Sequence, residues 1–501
     1  MSESPTLPTR NTHPLTLDAD VLSRAALSFC TDGPDALMFA ALKGSQSASL
    51  LLSLIAAPIT ASPPDWLDDM DRIDAAIGKA PTELDRLFIV GTARWGRRAD
   101  ARGMERFHAA LERWRERLAA LPLCGWEPLA DRLTFHGGQW IIGPASPYWP
   151  HQLDDLAIRS DWAPPLCLWG MGDPAALVSC DEPVAVVGSR DINDYGRFVA
   201  RNVGLQAARH GHLVVSGGAK GADAAAHWGA LAAREERKDS DDPDHAGRTV
   251  AVFAGGVERR GPSCNFRLFD AMLTAGGALV SEMPPGTIPE ARRFLLRNRI
   301  IAAMAGVVVV AQARHRSGAL NTATWAAEMN RTLVAAPGDI DEPYNTGCNR
   351  LVHDGKAVLL ASATDIGDIC HAEHTPYLSV TPCAAAVDED NRFDTGHADT
   401  DRTDGVTPND SDIADPLQSM MMTAIRALRR RDTVCTADTL LAELRSRHPG
   451  KVISVAGAQQ ALTALETSGR IAVDADGTIA IAGATRARPM PEDHLSVRHP
   501  L

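Results

Sequence analysis

The sequence predicts an α/β protein built on a Rossmann-like, doubly wound parallel sheet, with a helical N-terminal domain before it and a C-terminal winged-helix domain after it. Two observations predict the sheet. Within 183–362, six short runs (VAVVGS, HLVVSGG, TVAVFAGG, GALVSE, GVVVVA and RTLVAAPG) are rich in β-branched residues, lack polar alternation and end in small residues. Helix-like stretches separate most of them, and apolar strands alternating with helices imply a parallel sheet covered on both faces. A third observation, three apolar helical patterns followed by a hairpin signal near the C-terminus, predicts the winged helix.

Taken in order, residues 1–130 are expected to be the helical domain. Met104, Phe107, Leu111, Trp114 and Leu118 recur at three and four, marking one apolar helix face, with Arg113, Arg115 and Arg117 as a solvated flank. From 131 to 383 a lead-in of short strands and turns, including SPYWPHQLDDL and PPLCLWGMGD, joins the sheet domain. The insertion REERKDSDDPDHAGR is expected to form a charged surface loop. Residues 384–415 are acidic and poor in apolar residues, the composition of a disordered linker. Within 416–484, Leu417, Met421, Ala424, Ile425 and Leu428 set up one helix. Thr436 caps a second with Leu440, Leu441 and Leu444, and Ala458, Ala461, Leu462 and Leu465 mark a third. RIAVDADGTIAIAG closes as a hairpin through Asp476-Gly477, and 485–501 is a tail.

Composition narrows the class. At 45% hydrophobic and 23% charged residues the 501-residue chain reads as an ordinary globular protein of several domains. No run approaches the roughly 18 apolar residues of a membrane span. The N-terminus lacks the basic start and apolar core of a secretory signal, so the expected compartment is the cytoplasm. The nine cysteines form no C-x-x-C pair, which suggests neither a disulfide framework nor a metal site. A net charge of -13 argues against a general polyanion binder. Residues 183–360, however, hold 21 Lys and Arg against 18 Asp and Glu, a local +3, while 388–415 holds ten acids against two arginines. A mildly basic middle is compatible with a local anion site.

Three strand ends carry the same chemistry. Gly188, Ser189 and Arg190 follow the first strand; Ser216, Gly217, Gly218, Lys220 and Gly221 follow the second; Arg316, Ser317 and Gly318 follow a later one. Glycines admit a close backbone approach, serines offer hydroxyls, and helix N-termini add partial positive charge. Together they predict a phosphate site, whether for a nucleotide, a small substrate or a nucleic acid. Neither G-x-G-x-x-G after the first strand nor G-x-x-x-x-G-K-[ST] is present, so no dinucleotide cofactor or Walker-type hydrolysis is expected.

The blocks VAVVGSRDINDYG, VVSGGAKGADAAAHWGAL, GALVSEMPPGTIP, FLLRNRIIAAMA and SGALNTATWAAEMNRTLVAAPGDIDEPYNTGCNRLVHDGKA resemble, in order and spacing, the DprA/Smf family of DNA-processing proteins over about 150–362. The resemblance implies a protein that binds single-stranded DNA, protects incoming transforming DNA and loads a RecA-type recombinase onto it. It also implies a homodimer formed through the α/β domain. Phosphate contacts then fall on Ser189 and Arg190, on Ser216, Gly217 and Lys220, and on Ser317 and Gly318, beside Gly188 and Gly221 of the same loops. Arg297, Asn298 and Arg299 of RNR belong to the family pattern, as does Asn265, retained with Pro262 in GPSCN. This chain departs from the pattern with Gly218 and Ala222 for bulkier apolar residues, Gly261 for an aromatic, Ser263 for a lysine and Leu295 for a proline.

Other conspicuous residues have structural readings. His227 is expected to face inward and be hydrogen-bonded, Asp223 to cap its helix or meet Lys220, and Glu282 to organise its loop. Arg297 and Arg299, two apart at an expected helix start, cannot point at one site. No nucleophile–base pair or paired carboxylates emerge, and PGDIDEP lacks the P-G-G-x-G-T signature of related phosphoribohydrolases. The expectation is a non-enzymatic single-strand binder, the alternative a nucleotide sensor or hydrolase using the same pocket. The third C-terminal helix, VAGAQQALTALETSG, has no Lys or Arg, so the winged helix is expected to dock protein rather than duplex DNA.

Overall fold

The computed structural model describes residues 17–370, apart from 61, 78, 159–162, 240–241 and 243–244, and scattered positions within 420–481. Residues 1–385 form one compact unit and 386–501 a second.

Seven helices open the first unit: α1 (Ala19–Cys30), α2 (Ala36–Ser45), α3 (Ala48–Ala56), α4 (Met70–Ile77), α5 (Ala80–Arg94), α6 (Ala101–Leu118) and α7 (Trp126–Leu133). Asp18, Asp35, Ser47 and Asp100 start four of them by accepting backbone N–H groups that have no partner inside the helix. α6 buries Phe107, Leu111, Trp114 and Leu118 along the predicted stripe. α2 and α5 approach closely because Gly44 and Gly91 lack side chains; a Cβ on Gly91 would collide with the Ala40 carbonyl.

The sheet follows. Its strands are β1 (Trp140–Ile142), β2 (Leu168–Gly172), β3 (Val184–Gly188), β4 (Val214–Gly217), β5 (Thr249–Val252), β6 (Ala278–Ser281), β7 (Val307–Gln312), β8 (Thr332–Ala335) and β9 (Val358–Leu359). They lie in the order β1-β2-β6-β5-β4-β3-β7-β8-β9. The seven from β6 to β9 are parallel, while β2 adds antiparallel to β6 and β1 antiparallel to β2. The lead-in therefore extends the sheet at one edge. Crossovers run through α8 (Asp194–Arg209), α9 (Ala222–Arg237), α10 (Phe266–Thr274), α11 (Ala291–Met304), α12 (Ala319–Glu328) and α13 (Thr346–His353).

Burial on both faces explains the unbroken apolar runs. Val184, Val186 and Val214 pack with Val199, Val203 and Ala226 of α8 and α9 on one face. Ala185, Val187 and Val215 pack with Ile300, Ile301 and Trp325 of α11 and α12 on the other. The N-terminal helices share a third core with Trp169, Ala251, Phe253, Phe269 and Leu279. The expected charged loop begins later than the sequence suggested, because α9 continues through Arg237 and takes REER as its last turn.

In the second unit, described residues near 420–428, 439–444 and 458–465 are helical, and β10 (Ile471–Val473) pairs antiparallel with β11 (Ile479–Ile481). They enclose a core of Met421, Ile425, Leu428, Leu440, Leu444, Leu465, Ile471 and Ile479. Thr436 and Thr439 hydrogen-bond reciprocally at the second helix start, 2.8 Å and 3.4 Å. The 384–415 linker, the Asp476-Gly477 turn and the 485–501 tail lie outside the described residues. Among the described residues no single helix is long and apolar enough to cross a membrane.

The close crossing of α2 and α5 is testable. Gly91→Ala should destabilise the first unit by about 1–3 kcal/mol through overpacking, whereas Gly318→Ala, where a Cβ meets open space, should cost little. Urea unfolding of both variants checks this, and equal midpoints would contradict the crossing.

Candidate functional site

The strand order reverses at β3, whose neighbours are β4 and β7. The carboxyl ends of strands at such a reversal form a crevice, the general ligand position of open parallel sheets. Three loops meet there.

β3 ends at Gly188, where a Cβ would strike the Ala222 side chain and the Gln312 backbone. Ser189 N–H donates to the Gln312 carbonyl at 2.8 Å. The Ser189 hydroxyl donates to the Asp191 carbonyl and accepts from the Asp191 amide, 3.1 Å and 3.2 Å. Arg190 is exposed, its guanidinium 4.5 Å from the Phe294 ring centroid.

β4 ends at Gly217. Gly221 has φ 90°, and a Cβ there would collide with the Ser189 and Arg190 carbonyls, so only glycine fits. Ala222 N–H donates to the Ser189 carbonyl at 3.2 Å, joining the first two loops. Lys220 is exposed, and among the described residues it forms no ion pair and no backbone carbonyl accepts the Lys220 or Gly221 amide. After β7, Arg316 is exposed and the Ser317 hydroxyl accepts from Ala319 N–H at 3.3 Å, at the start of α12. Gly318 faces open space.

Beneath the loops lies a layer of buried polar side chains. Ser216 is fully buried and its hydroxyl donates to the Val186 carbonyl at 2.5 Å. Asn265 donates to the Gly218 and Ala219 carbonyls at 3.0 Å and 3.1 Å. Asp223 accepts the Ala219 N–H at 3.3 Å, so it serves the loop backbone and not Lys220. Arg297 donates to the Val252 carbonyl at 2.6 Å, and its guanidinium fills the space that a Gly217 side chain would need. Asn298 donates to the Gly318 carbonyl at 3.2 Å. Arg299, 0% exposed, donates to both oxygens of Glu282 (2.6 Å and 3.0 Å) and to the Ala163 carbonyl (3.1 Å).

The geometry thus divides the residues that the sequence grouped as phosphate contacts. Gly188, Ser189, Arg190, Gly217, Lys220, Gly221, Ser317 and Gly318 form the loops themselves. Ser216, Asn265, Arg297, Asn298 and Arg299 turn inward: Asn265 and Asn298 hold the second and third loops, Ser216 and Arg297 bond the strands beneath, and Arg299 meets Glu282 and the Ala163 carbonyl. Arg297 and Arg299 are not at a helix start: α11 begins at Ala291, and mid-helix residues two apart point about 200° apart. Arg297 accordingly meets β5 and Arg299 meets Glu282.

Burial sets the charge balance in this layer. It pushes the Asp223 carboxyl up, opposed by Arg297, the Ala219 amide and Arg190. It pushes the Arg297 guanidinium down, opposed by Asp223. His227 is fully buried between Thr249 (2.7 Å) and the Gly217 carbonyl (2.9 Å), which can only accept and so fixes the proton on Nε2. Burial lowers its pKa to about 4. With His227 and Glu282 both committed to structural partners, neither is available as a surface base. Among the described residues no group of three or more His, Cys, Asp or Glu could hold a metal ion.

Sequence reasoning missed one buried network. Gln312 is fully buried and donates to Asn193 and Asn345 side chains at 2.8 Å and 2.9 Å, tying β7 to the cap of α8. A glutamine closing the apolar run VVVVAQ was the available signal. Gly218, where the family pattern has a larger side chain, faces Phe253 and Phe269, whose rings already occupy that volume.

Comparisons with known proteins find relatives over this region. Residues 140–371 match the family described as DNA recombination-mediator protein A. A DNA processing protein DprA of Mycobacterium tuberculosis is 40% identical over 202 residues, 40% of this chain and 48% of that protein, so the chain spans about half the length of this relative. The solved DprA of Streptococcus pneumoniae is similar at 30% identity and TM-score 0.42, over 51% of this chain and 81% of that one. That of Helicobacter pylori, described for its single-stranded DNA binding mode, is similar at 24% identity and TM-score 0.38, over 46% and 93%.

The buried histidine gives a pH prediction. Its folded pKa lies below the unfolded value near 6.5, so the unfolded chain takes up a proton first as pH falls. The associated stability is present above about pH 6.5 and is lost progressively down to about 4. Urea midpoints between pH 7 and 4 should therefore fall less steeply in His227→Gln than in the parent, and identical slopes would contradict the assignment.

Proposed function

Residues 140–371 belong to the DNA recombination-mediator protein A (DprA/Smf) family, and from that premise we propose that this chain is a cytoplasmic, non-enzymatic single-stranded DNA-binding protein of DNA processing and recombination. It protects incoming single strands and loads a RecA-type recombinase onto them during natural transformation, and it works as a homodimer.

The observation that carries this reading is the layered site. Arg190, Lys220 and Arg316 stand exposed on three loops at the carboxyl-terminal end of the sheet, and Asp223, Asn265 and Asn298 hold the second and third of those loops from beneath. Preorganised amides, hydroxyls and single cations suit backbone phosphates and read no base sequence. Binding is therefore sequence-tolerant and salt-sensitive. The nucleotide-hydrolase alternative is not favoured, because its two candidate bases, His227 and Glu282, are already engaged inside the fold. The second unit is read as a winged helix that docks protein rather than duplex DNA.

Arg190→Ala and Lys220→Ala should each weaken oligothymidine binding and flatten its salt dependence by about 0.7 in log–log slope per lost phosphate contact. Ser263→Lys, on an exposed turn beside Asn265, should strengthen binding and steepen the slope. Fluorescence anisotropy over a salt series reads both. A double Arg190→Ala/Lys220→Ala variant that binds like the parent would sink the assigned site. Truncation after residue 383 should leave the affinity within a few-fold, and a tenfold loss in a folded dimeric product would remove the protein-docking role from the second unit.

A further inference from the structure

We propose that Phe294 is the positioning residue for Arg190, and that Asp32, in the turn between α1 and α2, pins the helix turn that carries it. The inference rests on the single-strand-binding reading, in which Arg190 meets phosphate.

Arg190 is a long, exposed side chain on a loop, and such a chain loses considerable rotamer freedom when it engages a ligand. Its guanidinium lies 4.5 Å from the centroid of the half-buried Phe294 ring, an arrangement that restrains the cation without neutralising it. Phe294 sits in the first turn of α11, and that turn has an electrostatic problem. It carries Arg292 and Arg293 at the positive end of the helix, where cations are disfavoured.

Asp32 answers that problem from outside the sheet. One carboxylate oxygen accepts from Arg293 at 2.6 Å and the other from Arg292. Arg293, largely buried, also donates to the Ile288 carbonyl at 2.5 Å and lies 3.4 Å from Glu290, the residue preceding the helix. Gly33 seats the same turn against α11: a Cβ there would come within 3.2 Å of Met283 and 3.3 Å of Leu296. The α11 turn is therefore held on one side by the N-terminal helical segment and presents Phe294 to Arg190 on the other. Removing Asp32 leaves two cations at a helix N-terminus with Glu290 as the remaining counter-charge among the described residues, and the turn loosens under Phe294.

The test uses the full chain and two readouts. Without DNA, the Arg190 Nε–H resonance should be displaced by the aromatic ring current. It should return toward a solvated position in Phe294→Ala and Asp32→Ala but not in Phe294→Tyr. With oligothymidine, Phe294→Ala should weaken binding about two- to fivefold, matching the loss of an exposed cation–aromatic contact, and Phe294→Tyr should bind like the parent. In an Arg190→Ala background neither Phe294→Ala nor Asp32→Ala should weaken binding further, the mark of residues acting through one group. If Phe294→Ala leaves the resonance unmoved, or Asp32→Ala tightens binding whether or not Arg190 is present, the proposal fails; the second result would make Arg292 and Arg293 direct phosphate contacts. A parent chain that does not bind oligothymidine would sink the functional reading, while the resonance would still decide the placement of Arg190.

Discussion

Two buried arginines on α11 impose the constraint on which the site is built. A guanidinium taken out of water costs several kcal/mol unless partners meet it, and removing one partner of a buried pair costs about 3–5 kcal/mol. Arg299 is met by Glu282 at the end of β6 and by the Ala163 carbonyl of the lead-in. Arg297 is met by the Val252 carbonyl at the end of β5 and by the charge of Asp223 at the start of α9. Four separate segments are thereby drawn to one helix. That convergence, with Asn298 reaching the Gly318 carbonyl from the same helix, fixes where the strand-end loops can lie.

The arrangement separates holding from binding. Charges that are buried are spent on neighbours within the fold, while Arg190, Lys220 and Arg316 remain in water, where a phosphate can reach them. Preorganisation of this kind lowers the ordering cost of association without enlarging the contact area. It is also compatible with the proposed anion site on a chain with a net charge of -13. The relevant field is that of a few fixed groups at the carboxyl-terminal end of the sheet rather than that of the whole surface.

Much of this was legible in the sequence. The strand runs showed themselves because both faces are buried and no polar alternation interrupts them. The loops showed themselves because close approaches at Gly188, Gly217 and Gly221 leave no room for a side chain. Direction was harder to read. The family resemblance singles out Arg297, Asn298 and Arg299, but only the helix phase, set by a start at Ala291, turns them inward. Likewise nothing local in the lead-in indicates that β2 pairs with β6, since the partner lies more than a hundred residues away. The helical pattern of 19–133 does not reveal that its apolar faces close onto Ala251, Phe253 and Leu279 of the sheet domain. Phe294 opens the block FLLRNRIIAAMA, but nothing in the sequence indicates that Arg190 lies over its ring.

The three strand-end loops are the surface proposed to meet single-stranded DNA. Amide hydrogen exchange of the full chain, with and without a saturating oligothymidine, tests that role most directly. New protection is expected at 188–191, 217–222 and 315–319, with little change in 420–481. Protection confined to the second unit, with the three loops unchanged, would contradict it.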